Sequence, residues 1–219
     1  MHRWLGIIDP EQTISLFRLD HKQDLQIIRH SSVACQNHST GTEIFVCNRF
    51  ADDAEFRFDH IPPVTNYIRR TGAYLNWRYF DIPRHNYRGL YAKTGQFAVY
   101  RIETITGQNA AVLRLLEWSF TTDLATQAMG RLLQDARRQN VILMDFFCTA
   151  PAVGRELENL GFFPNTALTT PLPYLFRPIC QAEPISVAID LPPHGQLRNL
   201  DFSTWYITKG DSDIDRIKC

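Results

Sequence analysis

The sequence predicts a mixed α/β (α+β) fold, in which an antiparallel meander of strands continues into a βαβ unit. Three strand-like segments joined by short turns, at 87–93, 96–105 and 110–120, predict the meander. A helical pattern over 124–138 and an apolar strand at 141–148 follow. The strands at 110–120 and 141–148 should therefore be parallel, because a helix crosses over between them.

Composition excludes several classes of function. Lys plus Arg equals Asp plus Glu at 23 each, so no net charge favours nucleic acid or an anionic membrane. The five cysteines form no C-x-x-C pair and the seven histidines no H-x-x-x-H pair, so we expect no metal site. No secretory signal and no apolar run of membrane-spanning length is visible, and scattered cysteines fit a reducing compartment. We therefore expect a cytoplasmic protein without a membrane span or a nucleic-acid partner.

The N-terminal part is predicted to be a β-rich extension, residues 1–42, preceding a main domain at 43–219. Apolar runs at 4–8 and 14–19 flank the turn-rich "DPEQT", which indicates a hairpin. The first strand of the main domain is expected at 43–47.

The segment 61–83 is predicted to be mostly helical. It begins with Pro62-Pro63, which suits a helix start, carries apolar residues at helical spacing, and ends at Pro83. The strand at 110–120 is apolar on both faces, as expected of a central strand.

Amphipathic helices are predicted on either side of the strand at 141–148. The first has its apolar residues at helical spacing over 124–138. The second opens with Pro151 and closes on Gly161, which matches the preferred ends of helices.

This order of elements, with "RLLQDARRQNVILMDFF" and "AVGRELENLGFFP", resembles the GNAT acyltransferase superfamily over roughly residues 43–180. In that family a helix with the pattern L-L-x-x-A precedes a buried strand. A second helix then ends in L-G-F, seen here as Leu160, Gly161 and Phe162.

Two further stretches, "YLNWRYFDIPRHNYRGLY" and "WYITKGDSD", resemble a narrower group of GNAT-like proteins. These are found near bacterial surface-polysaccharide and exopolysaccharide biosynthesis genes. The shared positions are Trp77, Arg78, Tyr79, Pro83, Tyr87, Gly210, Asp211 and Asp213.

The resemblance implies transfer of an acyl group from acetyl-CoA or another acyl-CoA to a small amine, a sugar or a glycan precursor. Whether the strands before and after the turn splay apart to admit the pantetheine arm is a question for the structure. The same resemblance implies an acceptor site that includes Arg78, Tyr79, Asp211 and Asp213. The oligomeric state, a homodimer included, is left open.

The turn "FTTDLATQ" departs from the family's pattern. GNAT enzymes hold the pyrophosphate in a Q/R-x-x-G-x-G/A turn, and no glycine occurs at 121–127. Thr122 or Asp123 is instead expected to cap the helix. The cofactor-binding residues that the resemblance implies are Trp118, Ser119, Phe120, Thr121, Thr122 and Arg131.

Glu117 is the expected general base, because it lies near the end of the central strand, where a GNAT base often sits. Apolar neighbours at 116 and 118 would raise its pKa by desolvation. The other interpretation pairs Glu117 with Arg88 or Arg101 across the strands.

Asp145 is a second catalytic candidate, because a carboxylate inside an apolar strand needs a partner. The other interpretation is a buried structural contact to a loop. Arg78 likewise has two interpretations: an acceptor contact, or an interior anchor for backbone carbonyls. The family's usual proton donor, a tyrosine, is replaced here by Leu157.

Two functional hypotheses follow. The first is an acyl-CoA-dependent acyltransferase. The alternative is a non-catalytic GNAT-like binding or interaction module that has lost coenzyme A binding, which the missing glycines and Leu157 favour. A relative of the aminoacyl transferases of peptidoglycan assembly is a third, less supported hypothesis, since zero net charge does not favour a tRNA donor.

Overall fold

The computed structural model describes residues 2–31, 33, 44–176, 179–180 and 201–211. The α-helices of this part are α1 (Pro10–Phe17), α2 (Lys22–His30), α3 (Gly72–Leu75), α4 (Thr122–Arg138) and α5 (Pro151–Asn159). Its strands are β1 (His2–Ile7), β2 (Phe45–Cys47), β3 (Glu55–Phe56), β4 (Asn66–Tyr67), β5 (Arg70–Thr71), β6 (Tyr87–Tyr91), β7 (Phe97–Thr104), β8 (Ala111–Trp118), β9 (Val141–Cys148), β10 (Phe163–Pro164), β11 (Leu175–Phe176), β12 (Ile179–Cys180) and β13 (Trp205–Tyr206). A π-helical turn spans Asn76–Phe80, and a 3-10 turn spans Lys209–Asp211.

A seven-stranded mixed sheet organises the fold, with the strand order β10-β1-β9-β8-β7-β6-β2. Strands β6, β7 and β8 form the predicted antiparallel meander. Strands β8 and β9 are parallel and α4 connects them, which confirms the predicted βαβ unit. The mixed α/β (α+β) fold class is therefore confirmed, and its architecture is consistent with a GNAT-like sheet.

The central position of β8 is also confirmed. Every residue of β8 is buried, and its side chains contribute to two separate apolar clusters. Leu113 packs in the cluster that includes Met129 of α4 and Leu157 of α5. Val112 packs in the cluster that includes Ile28 of α2. A strand with apolar residues on both faces thus carries helices on both sides of the sheet.

The expectation of a second N-terminal strand at 14–19 is wrong, because α1 covers most of that run. The Asp9 carboxylate accepts a hydrogen bond from the Gln12 backbone N–H, and Pro10 occupies the first turn. These two residues form a helix start rather than the turn of a hairpin. The preceding strand β1 forms as predicted, and it pairs with β9 and β10 inside the main sheet.

The prediction of a mostly helical segment at 61–83 is wrong in its first half, since helical structure is confined to residues 72–80. Strand β4 pairs with β13 and strand β5 pairs with β3. The backbone N–H and C=O groups of this segment, which would bond to each other within a helix, bond to β13 and β3 instead. The apolar residues of this segment have helical spacing, but they do not form one buried helix face, because Ile68 is 51% exposed.

Replacing Gly154 of α5 with Ala should lower the free energy of unfolding by about 1–3 kcal/mol, the usual cost of overpacking. A Cβ at this position would lie 2.1 Å from the Trp4 ring of β1. This cost opposes the gain of helix propensity that Gly→Ala normally gives. Urea denaturation measures the change, with Glu158→Ala on the exposed face of the same helix as control. A Gly154→Ala protein as stable as the parent would contradict this packing.

Candidate functional site

A gap opens in the middle of the sheet, where β8 and β9 diverge. The register of these two fully described strands ends at the pair Arg114 and Asp145. Both strands nevertheless continue, β8 to Trp118 and β9 to Cys148. The gap lies where the GNAT resemblance places an acyl-CoA arm.

The chain itself occupies this gap with the segment 205–211. The Tyr206 hydroxyl accepts a hydrogen bond from the Trp118 N–H at 2.8 Å and lies 3.2 Å from the Trp118 carbonyl oxygen, to which it donates. On the other side, the Thr149 N–H donates to the Ile207 carbonyl at 3.0 Å. The segment therefore bonds to the end of β8 through the buried Tyr206 hydroxyl and to the end of β9 through Thr208, which forms an antiparallel bridge with Cys148.

A buried cluster of four polar side chains lies beside the gap. The Arg70 guanidinium donates through Nε to Glu117 Oε1 at 3.0 Å and through Nη2 to both carboxylate oxygens of Asp211, at 2.7 and 2.9 Å. The Tyr79 hydroxyl donates to Glu117 Oε1 at 2.7 Å. The cluster therefore joins β5, β8, the π-helical turn and the C-terminal segment.

Burial raises the pKa of Glu117 to about 7, although the Arg70 charge and the Tyr79 hydrogen bond oppose the shift. Its second oxygen, Oε2, is buried and has no hydrogen-bond partner among the described residues. A carboxyl with a pKa near neutrality suits a general base. Glu117 is nevertheless 0% exposed, so no amine can reach it in this conformation.

The interpretation that pairs Glu117 with Arg88 or Arg101 is wrong, because its ion-pair partner is Arg70. Arg88 pairs with an aspartate of α4, and Arg101 pairs with Glu103 on its own strand. The register between β7 and β8 shifts next to Val99, which lies opposite Glu117. The true partner, Arg70, was missed because its segment was expected to be helical.

Asp145 lies in a second buried cluster. It accepts hydrogen bonds from Arg114 at 3.0 and 3.2 Å and from Arg3 at 3.2 Å. Burial would raise the pKa of Asp145, but the charges of Arg114 and Arg3 more than offset that effect and lower it. This geometry favours the structural interpretation, with contacts to strands β1 and β8 rather than to a loop.

The turn before α4 does not have the predicted cap. Thr121 is the N-cap and makes no side-chain capping hydrogen bond, while Thr122 has a left-handed φ of 55°. The Thr122 hydroxyl donates to the Thr121 carbonyl, and its N–H donates to Glu156 Oε2 at 3.3 Å. The expected cap by Thr122 is thus wrong, and the side chain of Asp123 lies outside the described part. The Glu156 carboxylate thus accepts from the Thr122 N–H, a donor that a bound pyrophosphate would need.

The other residues implied for the cofactor are largely engaged in packing. Trp118, Ser119 and Phe120 are each 0% exposed. The Ser119 hydroxyl accepts from the Phe97 N–H at 2.8 Å, and donates to the Phe97 carbonyl at 3.1 Å. Arg131 is half-buried in the third turn of α4.

Three of the residues implied for an acceptor site, Arg78, Tyr79 and Asp211, make buried contacts around the turn Lys209–Asp211. Arg78 is buried and its Nε donates to the Gly210 carbonyl at 2.6 Å, which agrees with its interpretation as an interior anchor. Tyr79 and Asp211 belong to the Arg70 cluster described above. Asp213 lies outside the described residues. Trp77, by contrast, is 65% exposed.

Comparisons with known proteins do not assign the chain to a family. No protein-family model matches it, and no curated protein matches it either. Within the described ranges, no cluster of three or more His, Cys, Asp or Glu side chains could hold a metal ion. The helices of the same ranges include none that is long and apolar enough to cross a membrane.

Glu117 should make the protein less stable as the pH rises from about 4.5 to 7. Its folded pKa, about 7, exceeds the ordinary value of 4.5, so the folded state holds the proton more tightly. The stability that this proton gives is complete below pH 4.5 and is lost as the pH rises through 7. Urea denaturation from pH 4.5 to 8 should show a smaller pH-dependent loss in Glu117→Gln. An unchanged slope in this variant would contradict the raised pKa.

Replacing Arg70 with Met should destabilise the fold by about 3–5 kcal/mol, because two carboxylates lose their buried cation. The adjacent Arg69→Met is a matched control: Arg69 pairs with Glu55 through a side chain that is 73% exposed, so its loss should cost less than about 1 kcal/mol. Chemical denaturation of both variants at pH 7.5 measures the difference. Equal losses would mean that the Arg70 cluster does not have the energetic role inferred here.

Proposed function

We propose that the chain is a GNAT-like binding or interaction module that no longer uses coenzyme A. The observation that carries the proposal is the filled gap between β8 and β9. The Tyr206 side chain takes both backbone hydrogen bonds of Trp118 there. An acyl-CoA arm would have to remove a fully buried tyrosine and leave these backbone groups to be satisfied anew.

The turn that would receive the pyrophosphate gives independent support. It lacks glycines, its Thr122 N–H donates to the Glu156 carboxylate, and a dianion placed there would meet that negative charge. The proposed bound molecule is a small molecule or a glycan precursor, as the resemblance to polysaccharide-associated GNAT-like proteins suggests.

An acyl-CoA-dependent acyltransferase is the second candidate. It is favoured by the divergence of β8 and β9 and by Glu117, whose pKa of about 7 would suit a base that takes a proton from an amine. In that case the segment 205–211 would have to leave the gap before each turnover.

Calorimetric titration with acetyl-CoA to 2 mM, about the range of weak cofactor binding, separates the two candidates. We expect no binding heat and no shift of the unfolding temperature, because the gap is filled and the turn carries a carboxylate. Glu156→Gln is a useful companion, since it removes that carboxylate from an exposed site without touching the gap.

The contrary result is saturable binding of acetyl-CoA together with release of free coenzyme A in the presence of amine or sugar acceptors. Loss of that turnover in Glu117→Gln, with the fold retained by circular dichroism, would establish the acyltransferase and refute the binding module.

A further inference from the structure

A cavity of about 290 Å³ lies near the β2 edge of the sheet, away from the gap between β8 and β9. Its walls come from the loop 49–54 after β2, from strand β3, and from the turn between β6 and β7. Its volume is at the lower end of the range for ligand pockets, so it suits a small molecule.

The floor of the cavity is aromatic. Phe50 and Phe56 line it and are each 5% exposed, with ring centroids 5.0 Å apart in an edge-to-face arrangement. Tyr91 lines it as well, with its ring 6.2 Å from that of Phe50. An apolar body of one ring or a short alkyl chain would be removed from water on this floor.

The loop that forms one wall is held in place by Asn76, at the start of the π-helical turn. Asn76 accepts from the Phe50 N–H at 3.0 Å and donates to the Phe50 carbonyl at 2.9 Å. The Gly72 N–H donates to the Ala54 carbonyl at 2.7 Å. A Cβ at Gly72 would lie only 1.7 Å from the Ala51 carbonyl oxygen, so the loop is in direct contact with α3. The cavity is therefore preformed.

Three residues that line the cavity are charged, and two of them are ion-paired. Arg49 pairs with Asp81 and Asp52, and Glu55 pairs with Arg69. The third, Lys93, makes no ion pair with any residue in the described ranges. Its ammonium group lies 5.9 Å from the centre of the Phe45 ring. The mouth of an apolar cavity thus presents one cation that a ligand could neutralise.

We propose that this cavity binds a small amphipathic anion, with an aryl or short alkyl body on the aromatic floor and a carboxylate at Lys93. The proposal is independent of the proposed function, because neither the gap nor the Arg70 cluster contributes a residue to the cavity.

Benzoate is a suitable probe, with benzamide and benzylamine as neutral and cationic molecules of nearly the same shape. Titrations of the ¹⁵N-labelled full chain, followed by two-dimensional NMR, should show benzoate shifting the amides of Phe50 and Gly95. The expected dissociation constant is about 1 mM, a value typical of so small a ligand. Benzamide should bind about fivefold more weakly, and benzylamine should bind more weakly still.

Two variants test the two halves of the site. Lys93→Gln should weaken benzoate about fivefold and make its affinity equal to that of benzamide. Ala51→Leu should weaken both ligands at least tenfold by filling the cavity from an exposed position, where it leaves the fold intact. Lys22→Gln, on the exposed side of α2, is the matched control and should change nothing.

The proposal is overturned if benzoate at 20 mM, far above the expected constant of about 1 mM, shifts no amide of the cavity. It is equally overturned if benzamide and benzoate bind alike in the parent protein, or if Lys22→Gln weakens benzoate as much as Lys93→Gln does.

Discussion

The buried ion pair between Arg70 and Glu117 is the interaction on which the centre of this structure depends. Both side chains are 0% exposed, and a buried carboxylate is tolerated only with a close cation and further hydrogen bonds. Tyr79 from the π-helical turn and Asp211 from the C-terminal segment supply those further contacts. One guanidinium therefore connects β5 with β8 and with the segment 205–211, and Tyr79 adds the π-helical turn through its hydrogen bond to Glu117.

Local sequence patterns were sufficient to predict the elements that are determined by their own residues. The central sheet and the helices α4 and α5 follow from apolar periodicity, and Gly161 ends α5 with a left-handed φ of 92°. Segments whose structure depends on distant partners were not predictable in this way. The run 64–71 is paired with β3 and β13, and "DPEQT" had the composition of a turn although Asp9 and Pro10 begin a helix.

The same distinction applies to the site. Glu117 and Asp145 could be selected from sequence, because carboxylates in apolar strands need partners. The partners could not be identified: Arg70 lies 47 residues from Glu117, and Arg3 lies 142 residues from Asp145. A pattern within one strand contains no information about residues that only the folded topology brings together.

The contacts of Asp211 and Gly210 in the turn Lys209–Asp211 argue that the filled gap is specified by the sequence. Asp211 pairs with Arg70. Lys209 is buried near Asp145, and burial together with the Arg114 charge lowers the pKa of its ammonium group well below the ordinary value. Between them, Gly210 passes so close to Tyr79 that a Cβ would lie 1.9 Å from its hydroxyl oxygen. The Asp211 ion pair and the close approach of Gly210 to Tyr79 thus hold this turn in one place, and any ligand of the gap must compete with a segment that fits it.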